Sequence, residues 1–140
     1  MGVVYHANYL NWFEIGRTEL IRELGIDYRE IEQHELLLPV TELNTQFHTP
    51  ARYDDWVTIC TRIADFSALK LQFESQVRLL TEEEHLVLRT TDDLIEPLGK
   101  LLVAGCTHHV WVNREFRPVR MPREMPELFA LLEKATERND

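Results

Sequence analysis

The residues best suited to chemistry are gathered near the start of the chain: Tyr5, His6, Asn8, Tyr9 and Glu14. His6 stands where a short apolar run, Gly2–Tyr5, gives way to a long helical pattern. The first turn of a helix presents N–H groups that have no intrahelical acceptor, and the macrodipole favours negative charge there. The segment His6-Ala7-Asn8-Tyr9 therefore marks a place where an oxyanion can be stabilised as it forms. The His6 side chain can orient water, protonate a leaving group or touch a substrate. It can equally be an interfacial or helix-capping histidine with no chemical role. Asn8 suits an N-cap, its side chain accepting from backbone N–H groups of the first turn, with substrate donor as the alternative. Tyr5 and Tyr9 line the site or an interface, and packing alone would also explain both.

These groups depend on one helix. Phe13, Leu20 and Leu24, with Gly16 between them, follow the spacing of a buried helical stripe, and Glu19–Arg22–Glu23 falls on the wet side. Gly16 allows close seating against a sheet, although glycine inside a helix costs about 1 kcal/mol against alanine. Gly25 suits the C′ position that ends the helix. A short helical turn follows over Tyr28–Gln33. Leu36–Phe47 reads as a strand with Pro39 near an edge or bulge. His48–Asp55 connects it to a strand over Trp56–Phe66, in which Val57, Ile59, Thr61 and Ile63 share one face. Leu69–Leu80 alternates cleanly, Leu69, Leu71, Phe73, Ser75 and Val77 against Lys70, Gln72, Glu74, Gln76 and Arg78. The acidic stretch Thr81–Gly99 reads as an insertion, a solvated loop or extended hairpin, with a functional lid as the lesser alternative. Lys100–Val112 is a further strand, Asn113–Phe116 a turn, and Glu124–Thr136 a C-terminal helix with Pro126 in its first turn. A long helix followed by antiparallel strands gives an α+β fold over residues 1–140 as one domain, the helix packed across a curved sheet.

Composition narrows the function. A chain of 140 residues with 44% hydrophobic content is ordinary for a globular domain. No apolar run approaches the ~20 residues of a membrane span, and the N-terminus has no signal-peptide pattern, so a cytoplasmic location is expected. A net charge of −9 argues against general nucleic-acid binding but leaves room for a phosphorylated small molecule held by a local basic cluster. Cys60 and Cys106 sit in apolar strand-like runs, lack metal-ligand spacing and read as small buried hydrophobes. His108 and His109 fall on opposite faces of a strand, so no metal site is expected from them. There is no phosphate-cradling glycine loop, serine nucleophile elbow or cysteine–histidine pair with motif support.

The run Gly-Val-Val-Tyr-His-Ala-Asn-Tyr-Leu at 2–10, with Trp12-Phe13-Glu14 and Arg17-Thr18-Glu19, resembles the hotdog-fold acyl-CoA thioesterases, specifically the 4-hydroxybenzoyl-CoA thioesterase and YbgC-like group. The likeness continues more loosely through Leu38-Pro39-Val40, Pro50–Asp55 and Arg117–Arg120. It implies a hotdog fold, hydrolysis of acyl-CoA, no cofactor beyond the coenzyme A of the substrate, and dimers or tetramers with active sites at subunit interfaces. It assigns the backbone N–H at His6 to polarising the thioester carbonyl. The family's catalytic aspartate and first strand fall just ahead of Met1, so the expectation is either a longer natural chain or a protein without the usual carboxylate. Four strands are countable where the family has five, and the strand that would pair with the first then has an open edge. Some hotdog enzymes outside this group carry a carboxylate on the helix, which makes Glu14 the reserve base. A structural role beside Arg17 or a neighbouring strand is the alternative. Arg52, Lys100, Arg114, Arg117 and Arg120 are candidates for the coenzyme A phosphates, or simply solvated charges.

Two functions follow. One is an acyl-CoA thioesterase, and the other a hotdog subunit that has lost its carboxylate and binds acyl groups or partners. A hydratase on the same fold fits less well, because its paired-residue signature is absent.

Overall fold

The computed structural model describes residues 2–25, 28–90 and 97–139, the last three by backbone alone. Helix α1 (Ala7–Glu23) and the short α2 (Tyr28–Gln33) precede three strands, β1 (Val40–Phe47), β2 (Trp56–Phe66) and β3 (Lys70–Leu80). Then come α3 (Glu82–Thr90), β4 (Lys100–Val110), α4 (Met121–Glu124) and α5 (Pro126–Asn139). The strands form one antiparallel sheet in the order β1-β4-β3-β2, which leaves β1 and β2 as its edges. Register shifts occur after Val40, Ile63 and Val77, where bulges bend the strands.

Helix α1 lies on this sheet because two glycines let it. A Cβ on Gly16 would stand 2.2 Å from Thr61 Oγ1, and a Cβ on Gly105 would stand 2.4 Å from Phe13 Cε2. Phe13 thus rests directly on the backbone of β4, and the helix backbone approaches β2. The buried stripe is Tyr9, Phe13, Arg17 and Ile21, with Leu20 and Leu24 only partly covered. That places the face slightly to one side of the Phe13–Leu20–Leu24 line expected from spacing. The core has two lobes. Tyr9, Phe13, Ala51, Val77, Leu102 and Val103 fill the one under the start of α1. Ile21, Phe73, Trp111, Met121 and Leu128 are among those filling the other, which α4 and α5 close.

Several expectations need correction. The strand expected from Leu36 begins at Val40, because Pro39 has no N–H for the ladder; Leu37 makes only an isolated bridge to Val112. The C-terminal helix expected over Glu124–Thr136 starts at Pro126, and Glu124 ends a separate short helix, α4. Met125, preceding Pro126, takes φ −140 and ψ 75, so α4 stops and α5 starts at the proline. Within Thr81–Gly99, residues 82–90 form a helix rather than a loop or hairpin. Its start is a capping box: Glu84 N–H donates to Thr81 Oγ1 at 3.1 Å and Thr81 N–H to Glu84 Oε1 at 3.0 Å. The acidic pair Asp92-Asp93 lies outside the described residues. Cys60 and Cys106 are half-buried rather than buried, since β2 is an edge and Cys106 faces away from α1.

Candidate active site

The start of α1 is built by a short backbone pairing. Val3 bridges Arg52, with Val4 N–H donating to Ala51 C=O at 2.8 Å and Tyr53 N–H donating to Gly2 C=O at 3.3 Å. This pins the entry of the helix to the connection between β1 and β2. The chain then turns at Tyr5, whose carbonyl accepts from Asn8 N–H at 3.0 Å, while His6 C=O accepts from Tyr9 N–H at 3.3 Å. His6 occupies the N-cap position with helical φ −57 and ψ −32 and makes no side-chain cap bond. Asn8 is therefore not the N-cap. It sits half-buried inside the first turn, where the Tyr5 carbonyl already satisfies its N–H. Among the described residues, the His6 and Ala7 N–H groups have no acceptor. That leaves a pair of donors beside an exposed imidazole.

Besides Asn8, the sequence-selected residues separate into three groups. Tyr5 and His6 are exposed together, their rings 4.4 Å apart between centroids, with Arg52 across the Val3 bridge. Tyr9 is buried, and its hydroxyl accepts from Ala51 N–H at 2.8 Å. It ties the helix to the connection, so its packing and its polar atom are both accounted for within the chain. Glu14 lies two turns along on the exposed side of α1, away from His6. Its charge acts on Arg17, a guanidinium that burial pulls below its usual range while Tyr28 and Glu14 push it back up.

Spacing alone did not single out two aromatic neighbours. Phe47 at the end of β1 is half exposed and sets its ring against Tyr9 at 5.7 Å. Tyr53 is 67% exposed on the connection that pairs with Gly2. The signal that could have found them is an aromatic on either side of the His48–Arg52 connection. The carboxylate of Asp55 also lies in this turn, but it accepts from Arg52 N–H at 2.7 Å.

The basic candidates divide between the two ends of the sheet. Arg52 and Lys100 belong to the end under the start of α1. Arg114, Arg117 and Arg120 follow the far end of β4, an 11-residue strand spanning roughly 35 Å. Arg114 there stands 3.8 Å from Glu35. One chain therefore offers only the first pair to a ligand at His6.

The buried polar residues on the inner face of β4 belong to the fold. His109, 2% exposed, donates from Nδ1 to Leu38 C=O at 3.2 Å and accepts at Nε2 from Thr107 Oγ1 at 2.9 Å. Burial lowers its pKa to about 4, with Arg17 and His108 adding to the effect and Leu38 opposing it. Among the described residues, no group of three or more histidine, cysteine or carboxylate side chains could hold a metal ion. No described helix is long and apolar enough to cross a membrane.

Residues 1–85, which carry the start of α1 and the first three strands, match the thioesterase superfamily. The chain belongs to that superfamily. This thioesterase is 31% identical over 136 residues to YneP of Bacillus subtilis, a putative acyl-CoA thioesterase, covering 96% of this chain and 86% of that protein. It is 32% identical over 110 residues to the acyl-CoA thioester hydrolase YbgC of Escherichia coli O6:H1, covering 74% of this chain and 82% of the relative. A DHNA-CoA thioesterase from Staphylococcus aureus superposes with a TM-score of 0.82 at 27% identity, over 99% of this chain and 83% of that one. The antiparallel sheet with α1 laid across it is thus the expected hotdog fold, and the activity is thioester hydrolysis.

Proposed function

We propose that this thioesterase hydrolyses acyl-CoA, and that the His6 and Ala7 N–H groups, without an acceptor among the described residues, hold the thioester oxygen as it becomes an oxyanion. That pair of donors, at the exposed start of α1 within the segment that matches the superfamily, is the observation that carries the reading. Water adds to the carbonyl carbon, the carbon–sulfur bond breaks, and coenzyme A leaves as a thiol with the fatty or aromatic acid released. The exposed His6 imidazole orients that water or protonates the leaving sulfur. A carboxylate serves as the base, as the family resemblance implies, and Glu14 is the candidate within this sequence. Asn8 contributes from the first turn, Tyr5 and Arg52 shape the substrate's surroundings, and Tyr9 holds the start of α1 to Ala51. No cofactor is needed, because water, a base and oriented donors supply the whole reaction.

A homodimer or homotetramer is part of the same reading. Edge strand β1 offers unpaired backbone and the exposed side chains Val40, Leu43 and Phe47. Phe47 touches Tyr9 at the start of α1, so a copy pairing along β1 would close over the site. The two unbridged cysteines agree with a cytoplasmic location.

Thiol release from a panel of acyl-CoA substrates tests the proposal, with this chain run beside the same chain extended by its upstream codons. Release in the extended form alone assigns the base to the upstream aspartate, whereas release in both moves it to Glu14 or His6. A folded oligomer silent in both forms would overturn the proposal and favour an acyl-binding subunit. His6→Ala is expected to lower turnover by ~10²-fold at unchanged oligomeric state. Loss of activity with dissociation would instead mark His6 as an interface residue.

A further inference from the structure

On the face of the sheet turned away from α1, Cys106 and His108 stand two residues apart on β4, with Cys106 Sγ 3.6 Å from His108 Nε2. Gln72, on the neighbouring β3, donates from Nε2 to the same sulfur at 2.9 Å. Glu42 pairs across with His108 from β1, its Oε2 3.7 Å from that imidazole nitrogen. A sulfur, a base to take its proton, a donor for the resulting thiolate and a carboxylate for the imidazolium are thus brought together from three strands. We propose that Cys106 is a reactive thiol and a site of modification by low-molecular-weight disulfides, with His108 as its proton acceptor. This goes beyond thioester hydrolysis and does not depend on it, because the cluster lies on the opposite face of the sheet from Phe13 and α1.

Glu42 faces the imidazole that takes the proton, and the Gln72 N–H faces the sulfur anion left behind. Glu74, the neighbour of Cys106 in register, would oppose it, but Arg62 Nε donates to its Oε2 at 2.7 Å and holds that charge. Asp65 and Lys70 lie further along, around the groove beyond His108, with opposite signs. Cys60 has no imidazole beside it, and burial pushes its thiol up. Both cysteines are half-exposed, so access does not separate them. In the reaction the Cys106 proton passes to His108 Nε2 and the thiolate attacks one sulfur of the incoming disulfide. The S–S bond breaks, and the departing thiolate takes the proton from the imidazolium. One mixed disulfide forms and one thiol is released, with no electrons drawn from elsewhere.

The test uses the full chain with 5,5′-dithiobis(2-nitrobenzoate) as a chromogenic disulfide and oxidised glutathione followed by intact mass. In a Cys60→Ser background, Cys106 is expected to react ~10-fold or more faster at pH 7 than Cys60 does in a Cys106→Ser background. His108→Gln should slow Cys106 by ~10-fold. His108 is 38% exposed, which favours a folded variant, and circular dichroism checks this. The rate of Cys106 set against that of Cys60 tests the proposal even without that variant. A Cys106 that reacts no faster than Cys60, or keeps its rate in folded His108→Gln, would sink the proposal.

Discussion

Tyr9→Phe removes one oxygen and leaves the ring that packs in the lobe under the start of α1. That oxygen accepts the Ala51 N–H at 2.8 Å, and the two residues are 2% and 1% exposed. Without it the amide stays buried with no acceptor, because water does not reach either end. Such a loss costs about 1–3 kcal/mol, and complete burial of both partners puts this one near 2 kcal/mol. For a chain of this size that lowers the melting temperature by roughly 6–8 °C. The assay is urea unfolding at fixed protein concentration, since an oligomer's apparent stability depends on concentration. The midpoint should fall with an unchanged slope. Well below the transition, KM for acyl-CoA should stay close to that of the parent, because the hydroxyl faces Ala51 and not a ligand. An unchanged midpoint with a raised KM would refute the reasoning and make Tyr9 a substrate residue.

Gly105→Ala sets a methyl carbon 2.4 Å from Phe13 Cε2, against a ring that is fully buried. Overpacking of this kind costs about 1–3 kcal/mol, so the urea midpoint should fall, and Phe13→Leu in the same chain should recover part of the loss. For His109, the native pKa of about 4 lies below the ordinary 6.5. Between those values the unfolded chain holds a proton that the native one does not, so stability is full above pH 6.5 and declines as pH falls toward 4. The loss amounts to about 3 kcal/mol for a shift of this size. Unfolding free energies measured from pH 7 to 4 should show that slope, and His109→Gln should flatten it.

Much of the architecture was legible because local rules decided it. Trp56–Phe66 emerged with its stated bounds, and Leu71, Phe73, Ser75 and Val77 all face inward, as a period of two requires. Gly16 does lie against the sheet, and Gly25 has the positive φ of a helix end. Other features were missed although their signal was present. Thr81-Glu82-Glu83-Glu84 is a capping box, yet the acidic composition around it suggested solvated loop. The Met125-Pro126 step forbids a continuous helix, since the residue before proline is pushed to extended backbone.

The site was legible in its position and less so in its membership. His6 could be placed at a helix start from the switch between an apolar run and a helical period. Whether Tyr9 would face a ligand or Ala51 could not, because its partner is 42 residues away in sequence.

The sequence by itself determined the long helix, the alternating strands and the family resemblance of residues 2–24. Each of these is written in neighbours a few positions apart. The tertiary structure alone decided that Phe13 rests on Gly105, that Arg52 and Lys100 share an end of the sheet while Arg114, Arg117 and Arg120 lie at the other, and that Cys106 meets His108, Gln72 and Glu42. Those relations depend on strand order and register. Both are fixed by burying one face of the sheet under α1 across long sequence separations, and no local pattern carries that information.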